Sequence, residues 1–328
     1  MQRQFMKKFI RTTVMISAAA FIFASCASTP SSGNKNEKLA NGQPKKKVIK
    51  LVEMQQTVSK EDSLFEESLK NIKIEVVSSP RFTTSGRKFA SPYVIKVTEN
   101  DIPSVNYNIS ISYPSSKSDD AITYSIANVQ TDENGKISWM AEVPSFAAND
   151  YVTFYPTPSS SSSYAKQKAF AVAATAPYKV RSSYTASMGV LYAFNINEKD
   201  KPTGNNFELL QNLRTKYGIN IGNSPIGESS YVNKDIAELY KATYAIVGNA
   251  YKFMISSFFR YAEPPIETEE GVTVKLIAEI ICVDMKEGKI IFKTSISETT
   301  TEINKWTAEQ KCKTVLAEKA AEAIVYGM

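Results

Sequence analysis

The sequence predicts an α+β multidomain protein: a β-sandwich over residues 61–180, then an α/β domain with a mixed sheet and packed helices over residues 181–328. Three observations predict it. Short runs with period-two alternation, separated by turn residues, fill the first region. Strand runs alternate with capped helical spacings in the second. The chain, 328 residues with 43% hydrophobic content, is long enough for two ordinary cores.

In the first region Lys60 to Ile72 carries Leu64, Phe65, Leu69 and Ile72 at helical spacing, with acids between them. Val105, Tyr107, Ile109, Ile111 and Tyr113 then alternate with Asn106, Asn108, Ser110 and Ser112, the pattern of a half-buried strand. Ile137, Trp139, Ala141 and Val143 repeat it. Asp132-Glu133-Asn134-Gly135 lies between two such runs and predicts a tight hairpin, since Asn-Gly adopts positive φ at little cost. Pro103, Pro114, Pro144 and Pro156 mark strand ends. Ser159–Ser163 reads as a hairpin tip or edge loop.

In the second region Met188–Ile196 reads as a strand. Asn206 is placed to cap a helix carrying Phe207, Leu210, Leu213 and Tyr217, with Gly218 as its stop. Ile219–Ile226 is extended. Asn233 caps a helix that turns Ile236, Leu239 and Tyr240 inward. Tyr244–Phe259 reads as a long strand broken at Gly248. Val272–Met285 and Lys289–Glu298 form a hairpin, and a last helix runs from about Thr307 to Tyr326. The order is β-α-β-α-β-β-β-α.

The N-terminus reads as an export signal over residues 1–25. Arg3, Lys7, Lys8 and Arg11 precede the apolar run Val14–Phe23, and small residues Ala24 and Ser25 follow. The run is shorter than the about 20 residues a membrane-spanning helix needs. Residues 26–60 read as the lipid-bearing cysteine and a flexible tether: 27–47, rich in Ser, Asn, Lys, Gly and Pro, hold too little apolar surface to fold, and 48–72 read either way. Lys45-Lys46-Lys47 in it is a solvated charge run or a contact with anionic headgroups. Without the four signal cations the net charge falls from +6 to +2, which calls for no nucleic acid. Histidine is absent, which removes the commonest general base and metal ligand. No metal and no cofactor is expected.

Phe23-Ala24-Ser25-Cys26 resembles a lipobox, with Phe where most have Leu, as in the relaxed lipoboxes of spirochaetes. The resemblance implies cleavage before Cys26 and lipidation of that thiol, with the partner a membrane reached through the N-terminal lipid. The other reading is an ordinary signal peptide with an unrelated cysteine. Val97-Thr98-Glu99-Asn100-Asp101-Ile102-Pro103 and Thr131–Ile137 resemble bacterial immunoglobulin-like envelope domains, without the antibody disulfide. Ala245–Ala250, Val274–Asp284, Gly288–Phe292 and the helix Ala317–Ile324 resemble the domain shared by penicillin-binding-protein activator lipoproteins, the curli secretion lipoprotein and the N-terminal domain of the Tol translocation protein. That implies a protein partner in the envelope. The curli channel's membrane hairpins are not expected, because Ser256 to Gly271 holds Pro264-Pro265 and four acids.

Candidate site residues follow. Cys282 and Cys312 both face the expected sheet–helix interface, either as a disulfide, which export permits, or as two buried thiols. Phe258, Phe259, Arg260 and Tyr261 either form a partner-binding surface, since aromatics and Arg are enriched in hot spots, or end a buried strand. Trp139 and Trp306 read as core or packing at a helix start. Ser32/Lys35 and Ser163/Lys166 have the Ser-x-x-Lys spacing but lack the companion motifs of penicillin-interacting enzymes. The acids Glu61, Asp62, Glu66 and Glu67, and Glu267, Glu269 and Glu270, read as solvated faces rather than a hydrolytic pair. The expectation is a non-enzymatic, lipid-anchored protein of the cell envelope, on the cell or outer membrane, that binds or scaffolds a protein partner. A surface adhesin binding host matrix is the alternative.

Overall fold

The computed structural model describes residues 58–118, 121–227 and 234–328. The signal segment, Cys26, the tether up to residue 57, Ser32/Lys35 and Asn233 lie outside the described residues. The chain begins there with α1 (Lys60–Leu69), capped by Ser59, whose hydroxyl accepts from the Asp62 N–H at 3.0 Å.

The first half is built from two sheets over one core. One holds β1 (Ile72–Ser78), β3 (Tyr93–Glu99), β4 (Ile102–Pro103) and β7 (Lys136–Trp139), with β3 in the middle. The other runs in the order β2 (Thr83–Thr84), β9 (Ala174–Arg181), β8 (Ala148–Pro156), β5 (Asn108–Ser118), β6 (Ala121–Gln130). Alternation decides what lies between them. Tyr93, Ile95 and Val97 from one sheet and Ile109, Ile111, Val152 and Phe154 from the other are all fully buried in a single cluster. α2 (Ser163–Ala171) packs beside α1.

Four expectations in this half need correction. Pro114 lies inside β5, at a bulge in its pairing with β6, rather than at a strand end. Ile72 opens β1 rather than closing the helix, and Leu64 is 63% exposed. The Asn-Gly turn closes no hairpin, because β6 pairs with β5 while β7 pairs with β3. It is a corner between sheets. Gly135 has φ +68° there, and a Cβ on it would sit 2.6 Å from the Val97 carbonyl oxygen. Ser159–Ser163 is a lead into α2, with Ser162 as its cap. The alternation otherwise holds at Ile109, Ile111 and Tyr113, whereas Val105 and Val143 stand exposed outside the strands.

The second half is a seven-stranded mixed sheet. β10 (Met188–Ile196) runs parallel to β13 (Phe253–Tyr261), which is antiparallel to β15 (Gly271–Asp284). β11 (Pro202–Asn205) and the short β12 (Asn220–Gly222) flank β10. β14 (Ile266–Thr268) and β16 (Ile290–Glu302) pair with β15. α3 (Phe207–Gln211) continues into a π turn over Asn212–Lys216. α4 (Ile236–Val247) covers one face of the sheet with Leu239, against Tyr192, Met254 and Val283. α5 (Lys305–Gly327) covers the other with Ala308, Leu316, Ala317, Ala320 and Ile324.

Asn206 caps its helix as expected, its side chain accepting from Leu209 N–H at 2.8 Å. Phe207, however, is 67% exposed, and Leu209 takes the buried place. Tyr244–Val247 is not strand. It finishes α4, which Asp235 rather than Asn233 caps, and Gly248 ends the helix at φ +54°. The described residues fall within one compact unit, Gln56–Met328. Its two halves are tied by the Ser182 N–H to the Val325 carbonyl at 3.0 Å and by Lys179 to Glu322 at 2.9 Å.

Candidate functional site

The run Phe258–Tyr261 ends β13, a central strand, so its side chains alternate between two covered faces. Phe259 is 1% exposed beneath α5. Phe258 stacks on Phe194 on the opposite face, with ring centroids 6.2 Å apart. Arg260 pairs with Glu279 on β15. The Tyr261 hydroxyl donates to Glu309 on α5 at 2.6 Å, and burial followed by that bond pushes its phenol well up. The run is thus the end of a strand with satisfied neighbours, not an open surface.

The thiols do not meet. Cys312 donates to the Glu298 carbonyl at 3.3 Å, and Glu298 pairs with Leu276. Cys282 lies six residues further along β15, about 20 Å away at the usual rise of a strand. A disulfide needs Cα atoms within about 7 Å. Both are buried free thiols in one apolar cluster, and burial pushes both up in pKa.

The acids separate by position. Glu267, Glu269 and Glu270 are exposed. Asp62 is not: it is 5% exposed and accepts from Ser160 at 2.7 Å and Ser162 at 2.9 Å. Ser160 is the main cause that holds its carboxyl below the usual range, burial pulls the other way, and Ser162 and Ser59 add to Ser160. Glu66 meets Lys168 and Tyr164, and Lys168 is the chief cause of its lowered pKa. This is a structural clamp between α1 and α2. Ser163 and Lys166 stand on the exposed side of α2. Among the described residues no group of three or more Cys, Asp or Glu could hold a metal. No helix of the described residues is long and apolar enough to cross a membrane.

Two places among the described residues bear on binding. The first is one end of the seven-stranded sheet. Ile303 and Trp306 flank the cap Asn304 of α5 and are 83% and 71% exposed. Ile266, 53% exposed, stands on β14, two strands from Thr301. Trp306 therefore starts a helix with most of its ring in water, unlike Trp139, which lies against Tyr93 and Tyr113.

The second is a cleft of about 450 Å³ where the two halves meet. β9 brings Lys179 and Arg181 to it, the β1–β2 loop brings Arg81 and Phe82, and the π turn ends in Lys216 and Tyr217. α5 closes it with Glu322 and Tyr326. The Arg181 guanidinium lies 3.9 Å from the Phe82 ring centroid and donates from Nη1 to the Tyr217 carbonyl at 2.9 Å. Tyr217 and Tyr326 meet edge to face at 6.3 Å. Burial first, then Glu322, pushes the Tyr217 phenol up to about 12.

No curated protein matches the chain in sequence. Residues 188–325 match the TP0693-like lipoprotein C-terminal domain. That match covers the seven-stranded sheet with α3, α4 and most of α5, and it supports a bacterial lipoprotein. Among solved structures, the hypothetical protein CT253 from Chlamydia trachomatis is similar at 7% identity over 42% of this chain and 97% of its own, with a TM-score of 0.30. Lipoprotein GNA1162 from Neisseria meningitidis is similar at 15% identity over 40% and 98%, with a TM-score of 0.27. The PelC dodecamer from Paraburkholderia phytofirmans is similar at 13% identity over 44% and 91%, with a TM-score of 0.30. At such scores these likenesses carry none of the functional reading.

Proposed function

We propose that the chain is a lipid-anchored, non-enzymatic protein of the bacterial envelope that binds a protein partner through the exposed end of its seven-stranded sheet. The observation that carries this is the group Ile266, Ile303 and Trp306. Large apolar side chains left in water together on one end of a domain mark interaction surfaces, and Trp is the residue type most enriched in binding hot spots. All three belong to the part of the chain that resembles a lipoprotein domain. The lipid on Cys26 and the tether would hold this end within reach of neighbours in the envelope. The partner is read as a cell-wall synthase or another envelope complex, on the resemblance to the activator lipoproteins. The two-sheet half is read as an immunoglobulin-like spacer, supported by its two sheets around one core.

A photo-crosslinking side chain at position 306, used in living cells, tests this. A periplasmic protein captured there, and lost with Ile303→Asp, is the expected result. Capture of nothing from the periplasm overturns it. If protease added to intact cells then removes the folded body, the weight moves to a surface adhesin.

A further inference from the structure

We propose that the cleft between the two halves binds a phosphoryl group carried on a small polar body, independently of the protein partner. Four cations line it, Arg81, Lys179, Arg181 and Lys216, against one lining carboxylate, Glu322. Lys179 answers Glu322 at 2.9 Å. Lys216 reaches Glu318 only at 3.7 Å, with both side chains about half exposed, a pairing of little strength. Neither arginine meets a carboxylate among the described residues. Arg181 makes one hydrogen bond, to the Tyr217 carbonyl, with five N–H donors available, and its buried Nε has no acceptor. Arg81 is exposed and has no acceptor among the described residues.

Two guanidinium groups without a carboxylate partner among the described residues suit a dianion. A phosphate monoester carries about −1.5 to −2 at neutral pH, and guanidinium groups match its oxygens in two-point contacts. The volume, about 450 Å³, falls within the about 300–1,000 Å³ of small-molecule sites. The volume leaves room for a small polar body next to the charge. A free sugar phosphate and a lipid headgroup both offer this chemistry.

The full chain in detergent is titrated calorimetrically with glucose 6-phosphate, with dihexanoyl phosphatidic acid and with glucose. Saturable binding of either phosphate, and none of glucose, is expected, and which phosphate binds tells the sugar source from the lipid source. Binding should weaken about tenfold in Arg81→Gln, the loss of one charge-assisted contact, and should weaken between about 0.05 M and about 0.5 M salt. Arg81 supports no other described residue, so the variant's circular dichroism should equal that of the parent. No saturable binding of either phosphate overturns the proposal, as does binding that Arg81→Gln leaves unchanged.

Discussion

α5 and the α1–α2 pair are both helices laid against β structure, but they are fastened by opposite means. The inner face of α5 is Ala308, Cys312, Leu316, Ala317, Ala320, Ala321 and Ile324, every one of them fully buried. Small side chains let the helix lie close on β15 and β16, so the centre of the contact is apolar, with the polar pairs Tyr261–Glu309, Lys311–Glu302 and Lys319–Glu298 at its rim. The α1–α2 pair buries little more than Leu69, Ala165 and Ala169. It is held by Asp62 on Ser160 and Ser162, and by Glu66 on Tyr164 and Lys168. An apolar, close-packed seam is sensitive to volume and indifferent to pH. A hydrogen-bonded carboxylate clamp is the reverse.

The largest expected effect tests the seam. Leu316 is fully buried in the cluster that joins α5 to the sheet. Leu316→Ala should cost about 2–5 kcal/mol, the removed burial plus the cavity left behind. Ala320→Leu should cost about 1–3 kcal/mol by overpacking. Urea denaturation measures both, and equal stability in Ala320→Leu would show that the seam is loose. Neither loss should change with pH.

The clamp is tested by acid. The folded pKa of Asp62 is lowered, with Ser160 the chief cause. Its contribution is therefore fully present above the unfolded value, about 3.9, and is lost as pH falls through the folded value. Glu66 behaves in the same sense through Lys168. Between about pH 6 and pH 2 the parent should lose more stability than Asp62→Asn does. Parallel losses in the two proteins would mean that the carboxylate is as well solvated folded as unfolded. The comparison then collapses to two apolar seams of different size.

How much of this was legible follows from how local each signal is. The β15–β16 hairpin and α5 are long and periodic, and both appear where the spacing places them. Asn206 and Gly218 carry their own capping chemistry, so they were readable one residue at a time. Tyr244–Val247 reads as strand because four apolar residues fit either period. Only Leu239 and Thr243, the buried residues one helical turn apart, show that the helix continues. The corner at Gly135 looks like a hairpin because turn chemistry is local, whereas the choice of sheet partner is not. For Phe258–Tyr261 the sequence leaves two readings, a surface or the end of a buried strand, and period two, which divides any four strand residues between two faces, favours the second. The cleft had no signal to read. Its residues come from positions 79–82, 177–181, 216–217 and 322–326, and only the fold joins them.

The smallest expected effect concerns the thiols, and it tests the register of the α5 seam. Cys312 stands over the Leu276–Glu298 pair. A Cβ on Gly327 would meet the ring of Phe292, which pairs with Cys282. The helix thus travels from one thiol to the other along the strand between Cys312 and Gly327, about 22 Å at the rise of an α-helix. That agrees with the about 20 Å counted along the strand. No rotation of a side chain closes such a gap. A reductant should therefore leave the unfolding midpoint of the exported protein unchanged, and both thiols should react with a thiol reagent only after unfolding, since each is buried and raised in pKa. A mass two hydrogens light under non-reducing conditions would mean that α5 sits about four turns away from where its alanines now pack, and the apolar seam would have to be redrawn.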